Sequence, residues 1–176
     1  MIEAYFMKLD ISILSDTDLR DVGDFDCGVE NEPLTAYLKG DAFEENANGK
    51  TKTYVVRNVD NNDIIGYFSL RTSGIGYVDE FKKVKSVPAV ELSEYALDVK
   101  YQGNGLGSDI FLGHIVPKVQ NLSSNFGCQI ILVYAFHQKS IEFYEKNNFK
   151  EIENMKEFIT IVDDFSQGCR VFVYTL

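Results

Sequence analysis

Glycines at positions 103, 105 and 107 separate a strand-like pattern from a helix-like pattern, and this arrangement is suited to binding an anion. The apolar segment before them, residues 92–99, has the length of a strand, and residues 106–122 repeat apolar side chains at helical spacing. Glycine lets backbone N–H groups approach a phosphate closely, and a helix N-terminus adds donors and a positive dipole end. The stretch therefore predicts a phosphate-binding turn that needs no basic side chain.

The glycine spacing differs from two common phosphate loops. A dinucleotide-binding fingerprint requires G-x-G-x-x-G, and a P-loop ends in Gly-Lys-Ser/Thr. In this chain Ser108 follows Gly107 with no lysine between them, and the motif that remains is Gln-x-x-Gly-x-Gly over residues 102–107. For this stretch taken alone, a glycine-rich turn without a ligand stays open as the alternative.

Alternating strand and helix patterns surround this turn and would position it. We predict one domain over residues 1–176. Residues 74–88 are predicted to form a long connection, and Pro117 is expected to kink the helix that follows the glycines. Strands are predicted at residues 5–13, 53–59, 64–72, 92–99, 129–136, 149–153, 158–162 and 170–174. Helices are predicted after residue 18, over residues 31–48, from the glycines to residue 124, and over residues 140–146.

Composition excludes several classes of protein. Apolar residues make up 45% of the chain, which is typical of a globular protein, and no apolar run approaches the length of a membrane helix. Residues 1–5 do not resemble an export signal, so we expect a cytoplasmic protein. The few histidines and widely spaced cysteines predict neither a metal site nor a disulfide framework: His114, His137, Cys27, Cys128 and Cys169.

The net charge of −10 argues against a nucleic-acid partner, because such proteins usually carry a basic excess or stripe. A local cluster at Lys82, Lys83 and Lys85 is the exception. A solvated loop is the favoured interpretation of this cluster, with a local RNA-binding patch as the alternative.

A second motif, Phe143-Tyr144-Glu145-Lys146 followed by Asn148-Phe149, lies 37 residues after Gly107, counted to Tyr144. Together with the Gln-x-x-Gly-x-Gly turn, it resembles the GNAT N-acetyltransferases, which carry a coenzyme-A pyrophosphate loop and a late Phe-Tyr-Glu-Lys helix. Residues 25–28 and the helix after them also resemble GNAT toxins that acetylate aminoacyl-tRNA, and their non-toxic relatives. The resemblance implies an α/β GNAT fold with a mixed, mostly antiparallel, splayed sheet flanked by helices.

The resemblance also implies acetyl-CoA as co-substrate and direct attack of a primary amine on its thioester. The pantetheine arm would pair with the backbone of Ala96, Leu97 and Val99. Tyr144 would act as the general acid that protonates the leaving thiolate. The pyrophosphate would bind the N–H groups of Gln102, Gly103, Asn104, Gly105, Leu106, Gly107 and Ser108.

Four positions depart from the family pattern. His137 stands where many members have an Asn that contacts the coenzyme, so it is a candidate coenzyme ligand or base, or a surface histidine. Leu132 occupies the position of a glutamate base, and Glu94 is the substitute candidate or a group that binds a cationic substrate. The tRNA-acetylating toxins tend to carry Arg at the position of Glu94, which weakens the RNA interpretation. Asn148 replaces a Gly and tolerates the left-handed conformation.

The sequence therefore predicts an acetyl-CoA-dependent N-acetyltransferase acting on a small-molecule or peptide amine. Toxin-like acetylation of charged tRNA and a non-catalytic acyl-CoA-binding module are the alternatives. No membrane partner is expected, a homodimer is an option, and the sequence does not name the acceptor.

Overall fold

The computed structural model describes residues 7–152, 158–160 and 169–176. Its strands are β1 (Leu9–Ile13), β2 (Lys52–Asn58), β3 (Ile64–Val78), β4 (Val84–Leu97), β5 (Ile130–Ala135), β6 (Lys150–Glu151), β7 (Phe158–Thr160) and β8 (Arg170–Thr175). Its α-helices are α1 (Leu19–Gly23), α2 (Glu32–Lys39), α3 (Asp41–Asn48), α4 (Leu106–Ile110), α5 (Val116–Ser123) and α6 (Gln138–Lys146). Two compact units result: residues 1–70 with 94–104, and residues 71–93 with 105–176. A single domain over residues 1–176 stays a prediction.

The first unit packs short helices against antiparallel strands. β1 pairs with β2 from Leu9↔Asn58 to Ile13↔Tyr54, and β2 pairs with β3. Tyr67 lies at the centre of this core with no exposed surface, and its hydroxyl donates to the Leu34 carbonyl at 2.7 Å. The buried phenol is thus both packed and hydrogen-bonded, as a core tyrosine requires.

The helix predicted over residues 31–48 is divided into α2 and α3 at Gly40. Pro33 lies in the first turn of α2, where its missing N–H costs no intrahelical bond. Gly40 has φ −128° and ψ −89°, outside the helical region, and its N–H bonds the carbonyls of Ala36 and Tyr37. The prediction of one continuous helix was wrong because this glycine permits a bend that apolar periodicity does not reveal.

The second unit holds a parallel strand pair and an aromatic core. β4 and β5 are joined by three parallel pairs, from Ala89↔Ile130 to Glu91↔Leu132. β5 pairs antiparallel with β8, β8 pairs with β6, and β7 pairs with β3. Rings on the helices and on β8 pack together in one cluster: Phe111, Tyr144, Phe149, Phe172 and Tyr174.

Residues 74–88, predicted as a long connection, form most of a β-hairpin instead. β3 continues to Val78, and β4 begins at Val84. Gly74 and Gly76 are buried within β3, and they interrupt the apolar alternation by which a strand is recognised. The central strand therefore starts well before the residues that the sequence indicated.

The irregularity predicted at Pro117 is confirmed and takes the form of a π-helical turn at Phe111–Ile115. α5 then begins at Val116, so Pro117 falls in its first turn. There its missing N–H and its ring are tolerated, which they would not be in the middle of an unbroken helix.

A partly buried ion pair joins β3 and β4 in the second unit. Arg71 Nη2 lies 2.5 Å from Glu91 Oε1, and Glu91 is 1% exposed. Nearby Tyr134 has its pKa raised to about 12, first by burial and then by the Glu91 charge. The carboxyl group of Glu91 therefore lies in a poorly solvated environment, and Arg71 is the cation that pairs with it.

We expect Arg71→Met to lower the free energy of unfolding by about 1–3 kcal/mol, because it leaves the buried Glu91 carboxyl without its donor. The double variant Arg71→Met with Glu91→Leu should recover most of this loss, since replacing both partners by apolar groups is often neutral. Urea unfolding followed by circular dichroism measures both values. Equal stability of the single and double variants would contradict this account.

Candidate active site

The end of β4 lies very close to β3 in the first unit, and a glycine makes this approach possible. A Cβ added at Gly66 would lie 2.6 Å from Leu97 Cδ2 and 2.8 Å from the Ala96 carbonyl oxygen. Real side chains do not tolerate such contacts, so glycine at position 66 is what allows Ala96 and Leu97 to lie this close. Glu94, on the same strand, is half-buried, and its charge adds to burial in raising the pKa of Tyr67.

The chain after β4 is bonded to the segment around residue 26. The Asp98 carboxylate accepts from the N–H groups of Lys100 (3.0 Å) and Asp26 (3.2 Å), and the Asp98 N–H donates to the Ile65 carbonyl. The Val99 N–H donates to the Asp26 carbonyl at 2.8 Å. Val99 lies in a 3-10 turn beyond β4, and its N–H group is already bonded within the first unit.

Gln102 opens the glycine turn and has a role that the sequence did not reveal. Its Nε2 donates to the carbonyls of Leu97 at 2.8 Å and Cys27 at 3.1 Å. The side chain thus fixes the start of the turn to the end of β4. The motif predicted a backbone contact at this position, but a long-range side-chain bond leaves no trace in local spacing.

We expect Gln102→Glu to raise the Kd for acetyl-CoA about tenfold. A carboxylate cannot donate to the carbonyls of Cys27 and Leu97, and its negative charge repels both oxygens. Isothermal titration calorimetry measures this change. Gln120→Glu, on an exposed position of α5, introduces the same charge away from the turn and serves as the control. Unchanged affinity in both variants would show that the Gln102 bonds do not support binding.

The glycine turn itself has left-handed backbone at two positions. Gly103 has φ +84° and Gly105 has φ +89°, and no atom lies within 4 Å of a Cβ built at either. Gly105 is the N-cap of α4, and its carbonyl accepts from Ser108 and Asp109. Open space beside left-handed backbone at a helix start fits the pyrophosphate of coenzyme A. The predicted ligands lie on this one stretch: Gln102, Gly103, Asn104, Gly105, Leu106, Gly107 and Ser108.

Helix α6 positions the remaining predicted residues in the second unit. His137 is its exposed N-cap residue, and its backbone N–H donates to Ser140 Oγ at 3.3 Å. Tyr144 is 9% exposed, and its ring packs edge-on against Phe149 with a centroid distance of 4.9 Å. Asn148 follows the helix at φ +65°, so the predicted left-handed turn is confirmed.

The predicted site residues are divided between the two units. Glu94 and Ala96 to Asn104 belong to the first, and Gly105 to Ser108, His137 and Tyr144 belong to the second. Their catalytic and binding roles stay predictions. Among the described residues there is no cluster of side chains suited to a metal ion and no helix long and apolar enough to cross a membrane.

The mixed, mostly antiparallel sheet, the left-handed glycine turn at a helix start and the tyrosine-bearing late helix agree with the predicted acyl-CoA-dependent acyltransferase. A model of the acetyltransferase (GNAT) family matches residues 23–149, well over half of the chain. The chain belongs to the GNAT acetyltransferase family. The predicted fold, enzyme class and co-substrate, acetyl-CoA, are thereby confirmed.

Individual relatives are toxins of this family. A Mycobacterium tuberculosis protein described as a tRNA-acetylating toxin is 32% identical over 140 residues, which cover 76% of this chain and 81% of that protein. The solved structure of AtaT complexed with acetyl-methionyl-tRNAfMet has a TM-score of 0.72 at 23% identity, covering 96% of this chain and 95% of that one. AtaTR bound with AcCoA gives a TM-score of 0.69 at 24% identity, covering 95% and 92%.

Proposed function

We propose that this protein transfers the acetyl group of acetyl-CoA to the α-amino group of an aminoacyl-tRNA. The observation that carries the proposal is the 32% identity to the M. tuberculosis relative described as a tRNA-acetylating toxin. A reaction on charged tRNA would take place in the cytoplasm. The net charge of −10 and the carboxylate of Glu94 oppose RNA, so this acceptor requires local basic contacts.

The reaction begins when the lone pair of the amine attacks the thioester carbonyl carbon. A C–N bond forms, the C–S bond breaks, and coenzyme A leaves as a thiolate. In this proposal the Tyr144 hydroxyl gives its proton to that thiolate. The nitrogen loses its extra proton to solvent or to a base, for which Glu94 and His137 are the candidates.

The apolar residue at the position of a family base, Leu132, supports an acceptor of low basicity. An α-amino group has a pKa of about 7.7–8.0, whereas a lysine amine has a pKa of about 10.4. A substantial fraction of the former is therefore already neutral near pH 7, and it needs little help from a base. An aminoacyl ester or a peptide N-terminus meets this condition better than a polyamine or a lysine side chain.

A small cationic amine is the second candidate acceptor, and the net charge of −10 favours it. Such a substrate would be attracted by the overall field of the protein, with Glu94 as its ammonium-binding group. Peptide N-termini and amino sugars belong to the same class. The two candidates differ in whether a nucleic acid is needed for turnover.

The deciding experiment supplies labelled acetyl-CoA with aminoacylated tRNA, deacylated tRNA, a peptide panel and a polyamine panel. Label in aminoacyl-tRNA, absent with deacylated tRNA and with Tyr144→Phe protein, supports the proposal. Label in peptides or polyamines alone would overturn it in favour of the second candidate. Mass spectrometry of the released aminoacyl group checks that the acetyl is on the α-nitrogen.

A further inference from the structure

We propose that the hairpin tip, residues 79–85 between β3 and β4, binds the RNA backbone of the aminoacyl-tRNA. This inference rests on the proposed function and deepens it by naming a contact surface. Three observations carry it: the charge of the tip, an exposed aromatic ring on it, and its ordered backbone. The tip also lies far along β4 from the residues that pair with β5, so its contribution to RNA binding can be tested separately from acetyl transfer.

The hairpin tip concentrates positive charge in an acidic protein. Lys82, Lys83 and Lys85 are all exposed, and none of them pairs with a carboxylate in the part of the chain that the structure describes. The Asp79 carboxylate is turned toward the backbone of the turn, which leaves Glu80 as the exposed acidic side chain of the tip. Phosphate contacts of this kind provide most of the affinity of nucleic-acid binding.

An aromatic side chain projects beside these lysines. Phe81 is 73% exposed and Val84 is 67% exposed, so two apolar side chains on one short turn are open to a partner. A phenyl ring next to cations is suited to stacking on an unpaired base, and RNA is commonly recognised through such bases.

The tip is held in one conformation before any partner binds. Asp79 Oδ1 accepts from the N–H groups of Phe81 and Lys83, each at 2.9 Å. The Asp79 N–H donates to the Lys83 carbonyl at 2.9 Å, and the Lys82 N–H donates to the Asp79 carbonyl. Binding therefore costs little backbone entropy, which favours recognition by preformed contacts.

The tip is far along β4 from the strand pair. Eight residues separate Lys83 from Glu91, the last residue of β4 in the parallel pairing, and a strand rises about 3.3 Å per residue, or roughly 26 Å in all. An aminoacylated oligonucleotide of two or three nucleotides is too short to span this distance, but a tRNA with its acceptor stem is long enough. A contact at the tip must therefore affect the long acceptor and leave the short one unaffected.

The test replaces the three lysines by glutamine, Lys82→Gln, Lys83→Gln and Lys85→Gln, with Phe81→Ser as a second variant. The control triple, Lys8→Gln, Lys39→Gln and Lys150→Gln, changes the net charge by the same amount at exposed positions elsewhere. Acetylation is measured with full aminoacyl-tRNA and with a short aminoacylated oligonucleotide. Binding of deacylated tRNA is measured by fluorescence anisotropy over a series of salt concentrations.

We expect the tip triple to lose about tenfold or more in kcat/KM on full aminoacyl-tRNA, with no change on the short acceptor, and to lower the salt slope of tRNA binding by up to about three. The control triple should change neither. Equal losses on both acceptors, or in both triples, would overturn the inference. If the wild-type protein acetylates no charged tRNA, the proposed function fails. The tip is then judged by tRNA binding alone, and equal binding by the wild type and the tip triple overturns it.

Discussion

We expect the replacement of Tyr144 by phenylalanine to lower kcat with the proposed aminoacyl-tRNA acceptor by about 10²–10⁴-fold, because the proposed role of general acid contributes a factor of this size. The ring of Tyr144 packs against Phe149 and Phe172, and this packing does not depend on the hydroxyl. The variant therefore keeps its fold and its KM for acetyl-CoA, and the loss is confined to the chemical step. Release of the coenzyme A thiol gives kcat directly.

Tyr174→Phe is the matched control for this variant. Tyr174 belongs to the same aromatic cluster, with its ring 5.6 Å from those of Phe111 and Phe149. The control removes the same atom from the same core, so any general loss of packing appears in both variants. A Tyr144→Phe protein with full activity, or two variants with equal losses, would show that Tyr144 is not the acid.

Replacing Gly105 by glutamate raises the Kd for acetyl-CoA by about 100-fold or more, for two reasons. The backbone φ of +89° is strained for any side chain, at a cost of about 1–2 kcal/mol. The new carboxylate also stands at the start of α4, where the pyrophosphate is proposed to bind, and the two anions repel each other. Calorimetric titration with acetyl-CoA measures the combined effect.

Two further variants separate these causes. Gly105→Ala imposes the strain without the charge and should lose only part of the affinity. Gly49→Glu imposes a similar strain at φ +79°, at the end of α3, and should bind acetyl-CoA like the wild type. Normal binding by Gly105→Glu would contradict the assignment of the turn to the pyrophosphate.

The sequence predicted best where one residue type has few alternatives. Asn148 adopts the left-handed backbone that the sequence predicted, and the glycine turn predicted before a helix has left-handed backbone at Gly103 and Gly105. Helix α6 and strand β5 lie within two residues of their predicted bounds. In each case local backbone chemistry decides the structure, and local chemistry is visible in the sequence.

The sequence failed where distant residues decide the structure. The bend at Gly40 and the long hairpin of β3 and β4 depend on packing between distant residues. Glycines permit these conformations, but their presence in the sequence does not predict them. The bond from Gln102 to Cys27 connects residues 75 positions apart in the chain. The ion pair of Arg71 with the buried Glu91 likewise joins two different strands. The predictions for residues 5–6, 153–157 and 161–168 lie outside the described residues.

The hydrogen bonds that join Asp98, Val99 and Gln102 with residues 26–27 have a thermodynamic consequence. If the glycine turn binds acetyl-CoA as proposed, we expect a ligand that moves residues 26–27 to break these bonds and to lower the affinity for acetyl-CoA. Linkage is reciprocal, so acetyl-CoA then weakens that ligand by the same factor. A ligand that leaves the bonds intact shows no such antagonism. The affinity of a ligand measured with and without acetyl-CoA therefore reports whether that ligand displaces residues 26–27.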